Sequence, residues 1–188
     1  MQFRSMRHIL PGALPVRASR LPVLDLLGLP IVDAQAEAVI STLLDPARKT
    51  VFFLNAHCAN IRATDSAYYK ALARADYVLP DGLGVELAAR MQGNRLIENL
   101  NGTDFVPRLL AHAAGRGGSV FLLGGTPGTA EAAAERLKMI CPGLLIAGTR
   151  NGYDGIAYTD QAIAEINASG AQIVLVAMGV PKQELWID

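Results

Sequence analysis

Short, mostly apolar runs alternate along the chain with stretches whose apolar residues recur every three or four positions. The runs are Leu26 to Val32, Thr50 to Leu54, Asp76 to Leu79, Ser119 to Leu123, Leu144 to Ala147 and Gln172 to Ala177. Their length and continuity predict buried strands. Between them, Ala36, Ile40 and Leu43 mark a helix through Leu44 that Asp33 is placed to cap. Ile61, Ala67 and Ala71 mark one long helix over Cys58 to Arg74. Further helices are expected over Leu83 to Met91, from a cap at Thr103 to about Ala114, over Thr129 to Ile140, and from a cap at Asp160 to Asn167. Strand–helix alternation of this kind predicts an α/β fold, a mainly parallel sheet with helices on both faces. No internal repeat or low-complexity segment interrupts it.

Composition narrows the function classes. Of the 188 residues, 51% are hydrophobic and 18% charged, enough apolar material for a packed core and too much for a disordered chain. No apolar run approaches the ~20 residues of a membrane span. Lys plus Arg equals Asp plus Glu at 17 each, so the basic excess of a nucleic-acid binder is absent. That neutrality hides an asymmetry. Residues 1–20 carry Arg4, Arg7, Arg17 and Arg20 and no acid, which leaves 13 basic against 17 acidic residues beyond them. The prolines and missing periodicity of 1–20 predict a poorly ordered basic arm without a signal-peptide cleavage site, followed by a single core over 21–188. A basic arm has two readings, a solvated leader or a contact with anionic lipid. Two cysteines, Cys58 and Cys141, suit reduced thiols in a cytoplasmic protein, with Cys58 packed as a small hydrophobe.

In parallel α/β sheets, ligands bind beyond the carboxyl ends of the strands. Four such loops are rich in hydrogen-bonding groups and glycine. Asn55-Ala56-His57-Cys58 offers an asparagine that either reads a ligand or caps the next helix. His57 has no nearby carboxylate in sequence to orient it. Pro80-Asp81-Gly82-Leu83-Gly84 ends a strand and begins a helix. Asp81 there either accepts a proton from a bound hydroxyl or forms an Asx turn, while Gly82 and Gly84 permit close approach to the backbone. Gly124, Gly125 and Thr126 follow a third strand, where amides and a hydroxyl suit phosphate; a tight strand-to-helix turn is the alternative. Lys182, Gln183 and Glu184 follow the last strand, with a cation for phosphate and two groups for hydroxyls or a base. Asn101, Thr103 and Asp104 form a fifth polar stretch that suits sugar hydroxyls or a helix cap. The glycine loop lacks the G-x-G-x-x-G spacing of dinucleotide-dependent oxidoreductases. No Asp-x-Asp motif occurs, so neither a metal nor a cofactor is expected.

Taken together, Ala75 to Gly84, Phe121 to Gly125, Asn151-Gly152-Tyr153 and Gly179 to Glu184 resemble the WecG/TagA/CpsF family of bacterial glycosyltransferases, from about Leu24 to the last residue. The Asn55-Ala56-His57 and Asn99 to Asp104 wording is most similar to the exopolysaccharide branch, of the xanthan-assembly type. The resemblance implies a Rossmann-like core and inverting transfer from a nucleotide-sugar, usually a UDP-sugar, to a sugar on a polyprenyl diphosphate. It places the family's proposed general base on Asp81, its strand-end asparagine on Asn55 and its glutamine on Gln183. Phe53 stands where the family often has threonine. The resemblance further implies peripheral work at the inner face of the cell membrane, a homo-oligomer left open, and a C-terminal tail beyond the point where this sequence stops. Two other readings stand beside it: a dinucleotide-dependent oxidoreductase and a sugar-nucleotide binding protein without catalysis.

Overall fold

The computed structural model describes residues 21–188; the arm expected over 1–20 lies outside the described residues. The chain opens on a hairpin. β1 (Val23–Leu26) pairs antiparallel with β2 (Leu29–Val32), so the apolar run expected as one strand instead folds back on itself. Leu27 and Gly28 make the turn with φ of 58° and 69°, the left-handed pair that two-residue hairpins require. There follow α1 (Ala36–Leu43), β3 (Val51–Leu54), α2 (Ala56–Thr64), α3 (Ser66–Arg74), β4 (Tyr77–Pro80) and α4 (Leu83–Met91). The four strands form one sheet in the order β1-β2-β4-β3, parallel apart from the hairpin. All of β4 is buried, as a strand covered on both faces should be.

After α5 (Gly102–Ala114), a second parallel sheet forms from β5 (Ser119–Gly124), β6 (Leu145–Arg150) and β7 (Ile173–Ala177), with β5 central. Its strands alternate with α6 (Thr129–Ile140), α7 (Gly152–Ala157) and α8 (Thr159–Ser169), and α9 (Lys182–Ile187) ends the chain. The mainly parallel α/β architecture is therefore as expected, but it is divided into a four-stranded and a three-stranded sheet. The divider is α5. Phe105 and Leu109, one turn apart, pack into the core of the first sheet with Val39, Ile40 and Leu79. Leu110 and Ala113 pack into the second with Val120, Leu122 and Ala134. One helix with two apolar faces thus serves both cores.

Several helix boundaries differ from those expected, each for a local reason. The helix expected over Cys58 to Arg74 breaks at Asp65, whose carboxylate accepts from Ala67 N and Tyr68 N at 2.9 and 3.0 Å and starts α3 anew. Asn101 rather than Thr103 caps α5. Asp160 sits in the first turn of α8 rather than at its cap. Asp33 does not cap α1; it accepts from Ile97 N at 2.7 Å, while Glu98 from that same segment accepts from Ala36 N at 2.7 Å and takes over the cap.

This exchange carries a prediction. The Ala36 amide first, and then Arg108, hold the Glu98 carboxyl below the ordinary glutamate range. A lowered native pKa contributes stability that is fully present above the unfolded value of about 4.3 and is lost as pH falls through the native one. Glu98→Ala should therefore cost about 1 kcal/mol at pH 7, the typical value of a lost cap. The cost should shrink toward pH 3. Urea denaturation of both proteins at the two pH values checks this; a pH-independent difference would refute it.

Candidate active site

β3 and β4 run in parallel register, with Leu54 opposite Pro80, so Asn55 and Asp81 leave the sheet side by side. Asp81 N donates to Leu54 O at 2.9 Å and extends the ladder by one step. Asn55 Nδ2 then donates to Asp81 Oδ2 at 3.1 Å, while Asn55 Oδ1 accepts from Cys58 N at 3.0 Å. Asn55 is thus a helix cap and a support for the carboxylate at once. Asp81 is half-buried, and its Oδ1 makes no hydrogen bond among the described residues. That leaves one oxygen held and one available to a ligand.

The loop after Asp81 is shaped by close packing. Gly82 has φ +88°, which only glycine adopts readily, and its amide donates to Asn99 Oδ1 at 2.9 Å. Asn99 Nδ2 donates in turn to Glu86 Oε1 at 3.1 Å. A side chain at Gly84 would come within 2.7 Å of the Ala56 methyl, so the starts of α2 and α4 touch there. Asn99, which the sequence offers only within the Asn99 to Asp104 motif, thus shapes the site. Its signal, an Asn 17 positions downstream of a Gly, is invisible without the fold. Asn101 and Asp104 bond each other: Asn101 Oδ1 accepts from Asp104 N and Asn101 Nδ2 donates to Asp104 Oδ2, with Thr103 exposed beside them. His57 is exposed in the first turn of α2. Cys58 is buried, as a small packed hydrophobe should be. Phe53 turns toward the core edge, its ring 6.2 Å from that of Phe105 in an edge-on arrangement.

The second sheet contributes a separate mouth. Gly125 N donates to Ala177 O at 3.0 Å and Gly152 N to Gly125 O at 2.9 Å. The amide cradle expected at Gly124 and Gly125 is thus partly consumed in joining β5, β7 and α7. Thr126 and Thr129 hydroxyls bond each other at 2.9 Å. Over this junction lies a cavity of about 260 Å³, lined by Gly125, Thr126, Gly152, Tyr153, Met178 and Lys182 among others. Tyr153 is 68% exposed at the start of α7. In the sequence Tyr153 stands out only within the Asn151-Gly152-Tyr153 motif, because α7 is too short to show a period. A wider cleft, about 360 Å³, is built from α6 and β6 rather than from strand-end loops.

Helix α9 runs from the second-sheet cavity to the core of the first sheet. Lys182 lines the second-sheet cavity, whereas Val180 and Ile187 pack into the first-sheet core against α3 and its neighbours. Asp188 pairs with Arg74 on α3, and Trp186 Nε1 donates to Thr159 Oγ1 on α8 at 3.2 Å. Gln183 Oε1 accepts from Gly179 N at 3.2 Å and Gln183 Nε2 donates to Glu184 Oε1 at 2.9 Å. Glu184, expected beside a ligand with Gln183, faces inward instead and is 1% exposed. Burial raises its pKa, only partly offset by the Gln183 hydrogen bond. Among the described residues, no group of three or more His, Cys, Asp or Glu side chains is placed to hold a metal ion. No described helix is long and apolar enough to cross a membrane.

A supported carboxylate beside one strand end and a cavity with a lysine beside another suit group transfer between two substrates. Two known proteins are similar to the chain. The chain is 32% identical over 165 residues to an N-acetylglucosaminyldiphosphoundecaprenol N-acetyl-beta-D-mannosaminyltransferase of Bacillus spizizenii, covering 85% of this chain and 63% of that protein. It is 28% identical over 156 residues to the protein of that name from Bacillus subtilis, covering 83% and 56%. The chain therefore spans about three-fifths of the length of these relatives. Residues 24–188, which include every strand end just described, match the glycosyl transferase WecG/TagA/CpsF pattern, and the chain belongs to that family.

Proposed function

We propose that this chain forms the core of an inverting glycosyltransferase. It moves a sugar from a nucleotide-sugar of the UDP-sugar class to a sugar carried on a polyprenyl diphosphate. The observation that carries this reading is the Asp81 carboxylate, with one oxygen held by Asn55 and the other available. An acceptor hydroxyl bound at Oδ1 gives its proton to Asp81 as its oxygen attacks the anomeric carbon. The bond from that carbon to the donor's diphosphate breaks on the opposite side, and the configuration inverts. Asn55 keeps the carboxylate oriented through the step.

The departing diphosphate carries the electron pair and needs compensating charge. Because the Gly125 amide is occupied, that task falls first to Lys182 at the cavity rim. Tyr153 offers its ring face for the base, and Gln183, next to Lys182, meets the donor. Gly82, with nothing within 4 Å of its missing side chain, keeps that strand end open to approach, whereas Gly84 and Gly124 serve the close contacts of α4 with α2 and of β5 with β7. Asn101, Thr103 and Asp104 form the outer wall on the acceptor side. A lipid-linked acceptor brings the protein to the cytoplasmic face of the membrane as a peripheral enzyme of surface or exopolysaccharide synthesis.

Thermal-shift titration tests the donor class. UDP and UDP-sugars should raise the melting temperature and NAD should not. Tyr153→Ala should weaken UDP about tenfold, since base–aromatic stacking contributes about 1–3 kcal/mol. Stabilisation by NAD alone would restore the oxidoreductase reading. UDP binding without transfer to a polyprenyl-diphosphate-linked sugar would leave a sugar-nucleotide binding protein.

A further inference from the structure

We infer that Glu184 is a positioning residue: its buried carboxyl holds the Gln183 amide in one orientation and so sets the Gly179–Gln183 turn that follows β7 beside the second-sheet cavity. The inference rests on the glycosyltransferase reading, which gives Gln183 its role.

The contacts form a closed chain. The Gly179 amide donates to Gln183 Oε1, and Gln183 Nε2 donates to Glu184 Oε1. With both ends of the amide engaged, its flip is fixed, and Gln183 presents a defined donor and acceptor to any ligand. Gly179 has φ +80°, so the turn is one that an unrestrained chain would not favour for most residues.

Glu184 is an expensive way to build a core. It is 1% exposed, and its Oε2 has no hydrogen-bond partner. Nearby Tyr68 is 0% exposed, and its hydroxyl also lacks a partner. Burial first, then the Cys58 thiol and the Glu184 carboxyl, push that phenol far up. Tyr68 belongs to an apolar cluster with Leu26 and Leu72, against which Val180 and Ile187, on either side of Glu184 in the chain, are packed. An apolar side chain of similar volume would suit such surroundings as well or better, because buried polar groups without full partners are destabilising. Holding the fold together therefore does not explain a carboxyl here; orienting Gln183 does.

The test separates stability from position. Glu184→Leu should keep or raise the melting temperature, yet lower kcat/KM at least tenfold. It should also speed hydrogen exchange at the Gly179 amide, because Gln183 is released. Glu184→Gln keeps an oxygen for Gln183 Nε2 and should restore activity to within about threefold, a difference under 1 kcal/mol. In the Glu184→Leu/Gln183→Ala double variant, the loss should equal that of Gln183→Ala alone. An active wild type with Glu184→Leu unchanged in kcat/KM and in Gly179 exchange would overturn the inference, as would fully additive losses. If Glu184→Leu does not fold, the Glu184→Gln rates and Gly179 exchange decide: a tenfold loss with Gly179 exchange unchanged overturns it. A wild type that neither binds UDP nor transfers sugar would instead defeat the glycosyltransferase reading. Gly179 exchange would still report whether Glu184 orients Gln183.

Discussion

Asp81→Asn should lower the rate of sugar transfer by about 10²–10⁴-fold, the usual contribution of a positioned general base, while leaving the fold and UDP affinity intact. The amide has the size of the carboxylate but cannot take a proton from the acceptor hydroxyl. Structural collapse is not expected. Asp81 is half-buried, its side chain makes one contact, to Asn55 Nδ2, and the amide oxygen can still accept it. Donor affinity should hold because the cavity beside Tyr153 and Lys182 draws on other strand ends. Single-turnover transfer of labelled sugar, with UDP titration alongside, checks all of this. Wild-type turnover in the variant would end the assignment of Asp81 as base. Lost UDP binding together with lost transfer would place Asp81 on the donor side instead.

Gly124→Ala should be the most damaging single substitution for stability. Gly124 has φ +154°, and an added Cβ would lie 2.2 Å from Ala177 O and 2.6 Å from its carbonyl carbon. These are backbone atoms of a paired strand, so they cannot rotate aside as a side-chain tip could. The substitution must part β5 from β7, where Gly124 sits opposite Ala177, and disturb the adjacent bond from Gly125 N to Ala177 O. Backbone strain and overpacking together should cost about 3 kcal/mol or more. For a chain of this size that lowers the melting temperature by roughly 6–12 °C. Gly93→Ala provides the comparison. Its φ is +77°, but nothing lies within 4 Å of its Cβ, so only the conformational cost of about 1 kcal/mol applies. Equal shifts in the two variants would contradict the close approach of β5 and β7.

How much of this was legible beforehand depends on how local each signal is. Strands that end in Leu54, Pro80, Gly124 and Ala177 can be read from apolar runs halted by Asn, Asp, Gly and Pro. The loops after them were therefore found in the sequence, together with Asn55, Asp81, Lys182 and Gln183. The hairpin at Leu27-Gly28 was missed because a leucine at positive φ leaves no compositional mark. The break at Asp65 was missed because helical spacing continues across it on both sides. Asn99 stayed unassigned because it acquires its place from Gly82 and Glu86, far away in sequence, and Tyr153 because its short helix shows no period.

By itself, the sequence determined the parallel α/β class, the family and the loops that carry polar groups. Apolar periodicity and turn residues act within a few positions, so they survive in one dimension. Only the tertiary structure decided that there are two sheets, because α5 has to bury Phe105 and Leu109 on one side and Leu110 and Ala113 on the other. It also decided the employment of each polar group. Asn55 supports Asp81, the Gly125 amide is spent on Ala177, and Glu184 turns inward to hold Gln183. A side chain's type states which bonds it can make. Which bond it makes is settled by the groups that packing brings within about 3 Å of it.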